Sequence, residues 1–395
     1  MPKLADKRIC TGCTACASVC PEQCIAMEAD QYGFMYPKVD AERCVGCGQC
    51  EKTCPVLCHG STERSKKTTV YAAYSRNTEM RMASSSGGIV SELAEEILRR
   101  GGLVFGAAYT QDFSVEHICV SSPNGLAELR GAKYTQSNLK DTYNKIAAAL
   151  QGGRKVLFIG TPCQTAGLKA FLHAPSPDLC TVDFVCHGVP SPEAWKKYVR
   201  FRADADNEGR LPEKIDLRSK HTGWSRYQYS NLYEYGGGKR YSAKSGEDLF
   251  MRLFVGDYIN RESCGVCPFK GVERISDFTV GDFWGIWDVA PEMDDNRGTS
   301  VVAVHTQMGK ELFQAISGRI VCREISAARA FQQNPSMLYP SPARSSRTQV
   351  LDLTAEGKFP QAAAVLEQGE KEGFPSKIKR KTVKLLLRVK NKHLF

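Results

Sequence analysis

The chain has 395 residues, 42% of them hydrophobic, with a formal net charge of +10 and 17 cysteines. That length holds a packed core and roughly two to three domains; no apolar run approaches the roughly 18 residues of a membrane span, and the opening MPKLADKRIC lacks an apolar signal region. The last twenty residues carry eight Lys or Arg and no acid, so the rest is near neutral, which excludes the broad basic footprint of a nucleic-acid binder. A cytoplasmic protein is expected, and in a reducing cytosol closely spaced cysteines signal metal rather than disulfides.

Residues 1–62 form a cysteine-rich block with an internal duplication. CTGCTACASVCP supplies Cys10, Cys13, Cys16 and Cys20; CVGCGQCEKTCP supplies Cys44, Cys47, Cys50 and Cys54. Three thiolates at C-x2-C-x2-C spacing wrap a short loop around one 4Fe–4S cubane, and the fourth ligand comes from the other run. Cys10, Cys13, Cys16 and Cys54 are therefore assigned to one cluster, and Cys44, Cys47, Cys50 and Cys20 to the other. Zinc sites use four ligands, usually as two pairs, and explain two matched runs poorly. The proline after each run stops a helix there. Residues 5–58 resemble a bacterial dicluster ferredoxin. Cys24 and Cys58 are read as spare thiols.

STERSKKTT at 61–69 reads as a linker. A strand follows at 70–75, and then SSSGGIVSELAEEILRRGG, where Ile89, Leu93 and Ile97 mark one apolar face of a helix. Ser84 to Ser86 offer N-caps and Gly101-Gly102 a stop. A strand at 103–109, a helix at 141–153, a strand at 155–160, the helix QTAGLKAFL, a strand at 179–185 and a helix from Pro192 continue the alternation. This predicts an α/β fold: a small α+β dicluster ferredoxin domain followed by a largely parallel or mixed α/β body, in parts 70–150 and 151–335. Residues 212–262 read as a mixed or antiparallel insertion.

Cys163, in GTPCQ, and Cys186, in DFVCHG, lie just past neighbouring strand ends, where doubly wound sheets place their ligands. The isolated pair Cys264 and Cys267 would complete four ligands for a third 4Fe–4S cluster. Zinc on the same ligands, a dithiol couple and simple packing remain alternatives. Cys119, Cys180 and Cys322 are read as packing cysteines.

SSSGGIVSELAEEIL, RGAKYTQS, GTPCQTAGLKAFL, DFVCHGVPSPEAWKKY and CGVCPFKGVERISDFTVGDFWG together resemble the beta subunit of coenzyme F420-reducing hydrogenase and F420-linked formate dehydrogenase. The same family includes plant 7-hydroxymethyl chlorophyll a reductase. The resemblance covers about residues 68–330. It implies a flavin-binding body with FAD, a cluster in that body on Cys163, Cys186, Cys264 and Cys267, and electron transfer between clusters and flavin.

Physical reading then suggests where the flavin goes. Ser84, Ser85, Ser86, Gly87 and Gly88 open a helix whose free amides suit a pyrophosphate. Lys133 and Tyr134 are expected at the ring or a phosphate, Lys133 tuning the reduced flavin. Asp282 follows a glycine at a strand end, and Phe283 and Trp284 beside it would exclude water. Lys270 and Arg274 are cations suited to an anionic cluster. His187 is a candidate proton donor. Lys133 and His187 are the expected catalytic residues.

The tail, 376–395, reads as a basic amphipathic helix, with Lys377, Lys381, Lys384, Arg388 and Lys392 on one stripe. It suits an anionic membrane surface or an acidic protein. The expected function is an iron–sulfur flavoprotein oxidoreductase passing electrons through three clusters to FAD and an organic acceptor, in either direction. The donor would be a ferredoxin, a flavodoxin or a partner redox enzyme. The alternative is a non-catalytic electron-transfer subunit.

Overall fold

The computed structural model describes residues 1–58 and 67–372. The basic tail and most of the expected linker lie outside the described residues. No helix among the described residues is long and apolar enough to cross a membrane.

In the cysteine-rich block, β1 (Ile25–Ala29) and β2 (Met35–Val39) form an antiparallel hairpin. Each cysteine run closes in one short helix, Ala15–Ser18 and Gln49–Lys52. The two binding loops share their backbone conformation. Gly12 and Thr14 have φ of 67° and 63°, and Gly46 and Gly48 have 69° and 70°. These left-handed positions curl each loop tightly enough to aim three thiols inward. Thr14 bears the steric cost that glycine avoids at the other three.

The body is built on an eight-stranded sheet. Its strands are β3 (Thr69–Ser75), β4 (Leu103–Tyr109), β5 (Val115–Val120), β6 (Val156–Ile159) and β7 (Leu179–Phe184). A separate three-stranded antiparallel sheet follows: β8 (Lys214–Ser219), β9 (Ser230–Glu234) and β10 (Arg240–Lys244). The large sheet is completed by β11 (Phe278–Asp282), β12 (Ser300–Val304) and β13 (Ile320–Glu324), in the order β13–β3–β12–β11–β7–β6–β4–β5. β4, β6, β7 and β11 run parallel, and β5, β12 and β13 pair antiparallel. The sheet is therefore mixed. β3 is antiparallel to β12, which is antiparallel to β11, so β3 ends on the same edge as the parallel core. The fold class expected from the sequence holds, and 212–262 is the antiparallel insertion.

Helix Ile89–Arg99 buries Ile89, Leu93, Ala94 and Ile97 on β3 and β4, as its periodicity requires. It begins five residues later than the triple serine. Its N-cap is Gly88 with φ 83°, and no side chain caps it. An additional helix, Thr78–Ala83, precedes the serines. Helix Pro162–Leu172 starts with proline in its first turn and a Thr161–Gln164 capping box. A second core of Trp195, Tyr198, Tyr233 and Phe250 joins helix Pro192–Asn207 to the small sheet. Helices Arg347–Ala355 and Phe359–Glu372, which the sequence patterns did not announce, add Leu351, Phe359 and Leu366 to it. Cys180 is buried, as a packing cysteine should be; Cys119 and Cys322 sit on outer strands β5 and β13 and are exposed.

Candidate functional site

One cavity of the N-terminal block is lined by Cys10, Cys13, Cys16 and Cys54. A second is lined by Cys20, Cys44, Cys47 and Cys50, with Cys24 beside them. Both sets are those expected from the crossed spacing. Burial pushes the Cys13 and Cys16 thiols up to about 12, and neighbouring thiols of the set add to it. Cys24 lies 3.4 Å from Cys20, sulfur to sulfur. Cys58 donates to the Glu51 carbonyl.

Four more thiols lie near one another at the edge where β6 and β7 end, although among the described residues no group of three or more such side chains is set to hold a single metal ion. Cys163 follows β6 and opens helix Pro162–Leu172; Cys186 follows β7. The turn Glu262–Val266 brings in Cys264, and Cys267 follows it. Burial pushes Cys163 up, and Cys267, Cys186 and Cys13 push it further. Burial also raises Cys264, followed by Cys186, Cys163 and Cys267. The four expected residues are therefore mutual neighbours. Cations fasten the loop that carries the distant pair. Lys270 donates to the Cys186 carbonyl and, at 2.8 Å, to that of Ser336. Arg274 bonds the Phe269 carbonyl and stands 3.7 Å from Asp183 at the end of β7. An all-thiol donor set of four, backed by cations, suits a 4Fe–4S centre.

The body also holds a buried polar cluster. It joins Tyr109, at the end of β4, with Lys133, Tyr134 and Asp282 and with three residues the sequence reading missed: Asp216, Arg218 and Lys220. Arg218 is buried, its guanidinium 3.7 Å from the Tyr229 ring centre and 5.0 Å from that of Trp284. Its Nη2 stands 2.8 Å from Asp282 Oδ1, and Trp224 Nε1 donates to the same oxygen at 3.1 Å. Burial opposes the Arg218 charge, and Asp282 more than restores it, so it titrates above the usual arginine value. Burial lowers Lys220 to about 7 and Lys133 to about 8. It raises Asp216, Tyr109 and Tyr134. Arg218 Nε, Tyr109 OH and Thr135 Oγ1 are buried without a hydrogen-bond partner among the described residues. Buried polar atoms are normally satisfied, so the unpartnered Arg218 Nε and Tyr109 OH, both neighbours of Tyr134, fit a ligand that supplies their partners.

The stretch 130–137 links the pocket to the thiols. Lys133 donates to the Arg130 carbonyl at 2.8 Å and faces the Tyr109 ring. Further along, Gln136 accepts from Arg261, and Ser137 accepts from Gln164, next to Cys163. The Phe254 ring packs on Tyr134 at 5.1 Å and on His187 at 5.2 Å, so it lies between those two side chains. His187 has Nε2 2.9 Å from Asp257 Oδ1 and Nδ1 3.2 Å from Ser336 Oγ.

The serine–glycine loop reaches the pocket through backbone. Lys220 donates to the Arg81 and Ser86 carbonyls at 2.6 Å each. Ser84 Oγ turns back to the Met80 carbonyl, and Ser86 Oγ to that of Thr299. A Cβ at Gly87 would lie 2.4 Å from the Ala73 carbonyl, so this glycine is required by strand packing. The helix start itself has no side-chain cap. Glu92 in its first turn already places a carboxylate there, answered by Ser75 and Arg319.

Family models now meet this geometry. Two models describe the halves of the coenzyme F420 hydrogenase/dehydrogenase beta subunit. The one for its N-terminal part matches residues 70–142, and the one for its C-terminal part matches 153–328. The chain belongs to the coenzyme F420 hydrogenase/dehydrogenase beta subunit family. Residues 9–58 match the "4Fe-4S dicluster domain". It is thus an iron–sulfur electron-transfer protein of an oxidoreductase family. Among solved structures it is similar to a chain of the F420-reducing [NiFe] hydrogenase complex from Methanosarcina barkeri, at 15% identity and a TM-score of 0.46, over 79% of this chain and 95% of that one. No curated protein matches it.

Proposed function

We propose that the chain is an iron–sulfur flavoprotein oxidoreductase. In this reading Cys163, Cys186, Cys264 and Cys267 hold a third 4Fe–4S cluster beyond the two of the N-terminal domain. FAD lies in the crevice beside Lys133, Tyr134, Arg218, Lys220 and Asp282. The observation that carries the reading is the grouping of four thiols, from three separate chain segments, in a body that also holds buried unpartnered polar atoms at Arg218 and Tyr109.

FAD, when bound, supplies exchange of single electrons with clusters and of electron pairs with an organic acceptor. The protein's own groups do the rest. Lys133 and Lys220, whose pKa values burial lowers, offer positive charge to an anionic ring edge or phosphate when protonated, and an anion there favours that protonated form. The ring faces of Tyr134, Tyr229 and Trp284 exclude water from the same space. Arg218 presents its unpartnered Nε to an acceptor atom. His187 is pinned between Asp257 and Ser336 next to the Cys186 loop.

The donor would be a ferredoxin or flavodoxin, or a partner redox enzyme, and the flow runs either way with the potentials. A pure relay protein needs clusters but no small-molecule pocket; the orphaned atoms around Arg218 favour the enzyme.

Iron, sulfide and flavin content of anaerobically purified protein tests this, beside a Cys264→Ser, Cys267→Ser variant. The expected result is about twelve irons and one FAD in the parent, with about four irons lost in the variant. About eight irons in both would remove the third cluster. Full iron without flavin would leave the relay.

A further inference from the structure

The two cysteine loops are conformational twins, but their surroundings differ completely. Around Gly46, in the second loop, a Cβ would meet nothing within 4 Å. Val45 beside it is 66% exposed, and Cys47 is exposed. Around Gly12, in the first loop, a Cβ would lie 2.5 Å from Gln136 Nε2, 2.8 Å from the Met35 carbonyl and 3.0 Å from Arg261 Nη1. The first loop is pressed against the body, and the second faces outward.

The pressed loop meets the helix that carries Cys163. A Cβ at Gly167 would lie 2.9 Å from Cys13 Cβ and 3.0 Å from its sulfur. Gly167 is one helical turn after Cys163, on the same face and about 6 Å along the axis. Tyr143 closes the remaining side: its hydroxyl stands 2.9 Å from the same Gly167 position and donates to the Gln164 carbonyl at 2.6 Å. Glycine at 167 is thus what lets Cys13 approach the helix.

One buried side chain spans the junction. Arg261 is 1% exposed. Its Nε donates to the Cys10 carbonyl at 2.8 Å, its Nη1 to Gln136 Oε1 at 2.9 Å and its Nη2 to the Met35 carbonyl at 3.0 Å. Its guanidinium stands 4.1 Å from the Tyr36 ring centre. Its own carbonyl accepts from the Cys264 amide at 3.0 Å. A planar fork with donors in fixed directions can hold a first-run ligand loop, the hairpin and the 130–137 stretch together. Its backbone meanwhile anchors the loop of the distant pair.

We propose that the site of Cys10, Cys13, Cys16 and Cys54 is the inner one of the ferredoxin pair, joined to the body quartet through Cys13 and Gly167. Arg261 is the positioning residue of that junction, and the site of Cys44, Cys47, Cys50 and Cys20 is the outer, electron-accepting one. This rests on the reading of the quartet as a cluster site. Each transfer moves one electron between neighbouring sites, inward when a low-potential one-electron donor reduces the outer site, with no bond made or broken.

Electron paramagnetic resonance of the dithionite-reduced full-length chain tests the order, with iron measured on the same samples. Magnetic coupling to the body cluster should survive Cys44→Ser, Cys47→Ser and vanish in Cys10→Ser, Cys13→Ser. The reverse pattern, or coupling indifferent to both, overturns the order. About eight irons in the parent rather than about twelve means that the quartet reading has failed, and the order with it; about twelve irons with the wrong pattern sinks the order alone. Gly12→Ala and Gly46→Ala impose the same left-handed strain, yet only the first should weaken the coupling. Arg261→Met should weaken it with iron intact and slow body-cluster reduction at least tenfold. Unchanged coupling in Arg261→Met and Gly12→Ala alike removes the positioning role.

Discussion

Two buried groups of charges sit on the body, and they are built in opposite ways. At the end of helix Ile89–Arg99, the Glu96 carboxylate has no exposed surface and accepts from Arg99 at 2.6 Å, Arg100 at 2.7 Å and Arg319 at 3.1 Å. Burial alone would raise its pKa; the three arginines outweigh it and hold it at about 2. Around Arg218, burial instead wins at Lys133, Lys220 and Asp216, driving each towards neutrality, and polar atoms stay unpartnered. A group of charges that answers itself belongs to the fold. One that leaves its atoms unanswered is arranged for something else to complete.

The largest effect should come from breaking the answered group. Glu96→Ala leaves Arg100 without its buried acceptor and Arg319 with Glu92 alone. The cost should be about 3 kcal/mol, discounted from a fully buried pair because the arginines are partly exposed. It would appear as a lower thermal midpoint, with iron and flavin per folded chain unchanged. The pH dependence has a definite sign. The folded carboxylate sits at about 2, below its ordinary 4.5, so its stabilisation is complete above 4.5 and is lost as pH falls towards 2. Glu96→Gln should remove that slope. Flavin loss from either variant would blur the distinction between the two groups.

Arg218→Met should act on the ligand as well as the fold. Retained FAD per folded chain should fall at least tenfold, about 1.4 kcal/mol in affinity, beside a stability loss of up to about 3 kcal/mol from the broken Arg218–Asp282 pair. Asp282 keeps the Trp224 donor, and Met replaces a buried cation whose Nε had no partner. A variant that melts early but keeps its flavin would place Arg218 with Glu96, as a structural charge.

The contrast also explains what the sequence made legible. The N-terminal ligands lie within eleven residues of one another in each run, so local spacing alone brings them together. Cys163 and Cys186 are legible from strand ends, because parallel neighbours β6 and β7 must finish on one edge. The Arg218 group was missed because it depends on a second sheet whose docking no local pattern announces. A signal was present: Asp216, Arg218 and Lys220 alternate with Ile215, Leu217 and Ser219, which puts three charges on one strand face. The register also shifts between Asp216 and Ser219, a bulge that re-aims side chains there. The serine triplet misled by resembling a cap, whereas Gly87 and Gly88 fix that loop through close strand contact and a left-handed turn.

The smallest effect is also the most direct test of an unfinished pocket. Lys220 faces Asp282, Arg81, Arg218 and Asp216, and burial leaves it titrating at about 7; Lys133 faces Asp216 and Glu128 and titrates at about 8. An anionic ligand favours the protonated form of each. Below pH 7 both already carry their protons, so binding needs none. Above pH 8 both are neutral, and binding must draw protons from solution. FAD affinity should therefore weaken as pH rises from 6.5 to 8.5, by roughly threefold or more. Fluorescence titration of the flavin-free protein reads this directly. Lys220→Met should flatten the part of the profile near 7, and riboflavin, which lacks phosphates, separates the two ends of the ligand. A riboflavin profile as steep as that of FAD would put the titrating lysines at the ring; a flat one would put them at the phosphates. Affinity that rises with pH would mean that neither lysine meets the anion, and that the pocket completes itself by other means.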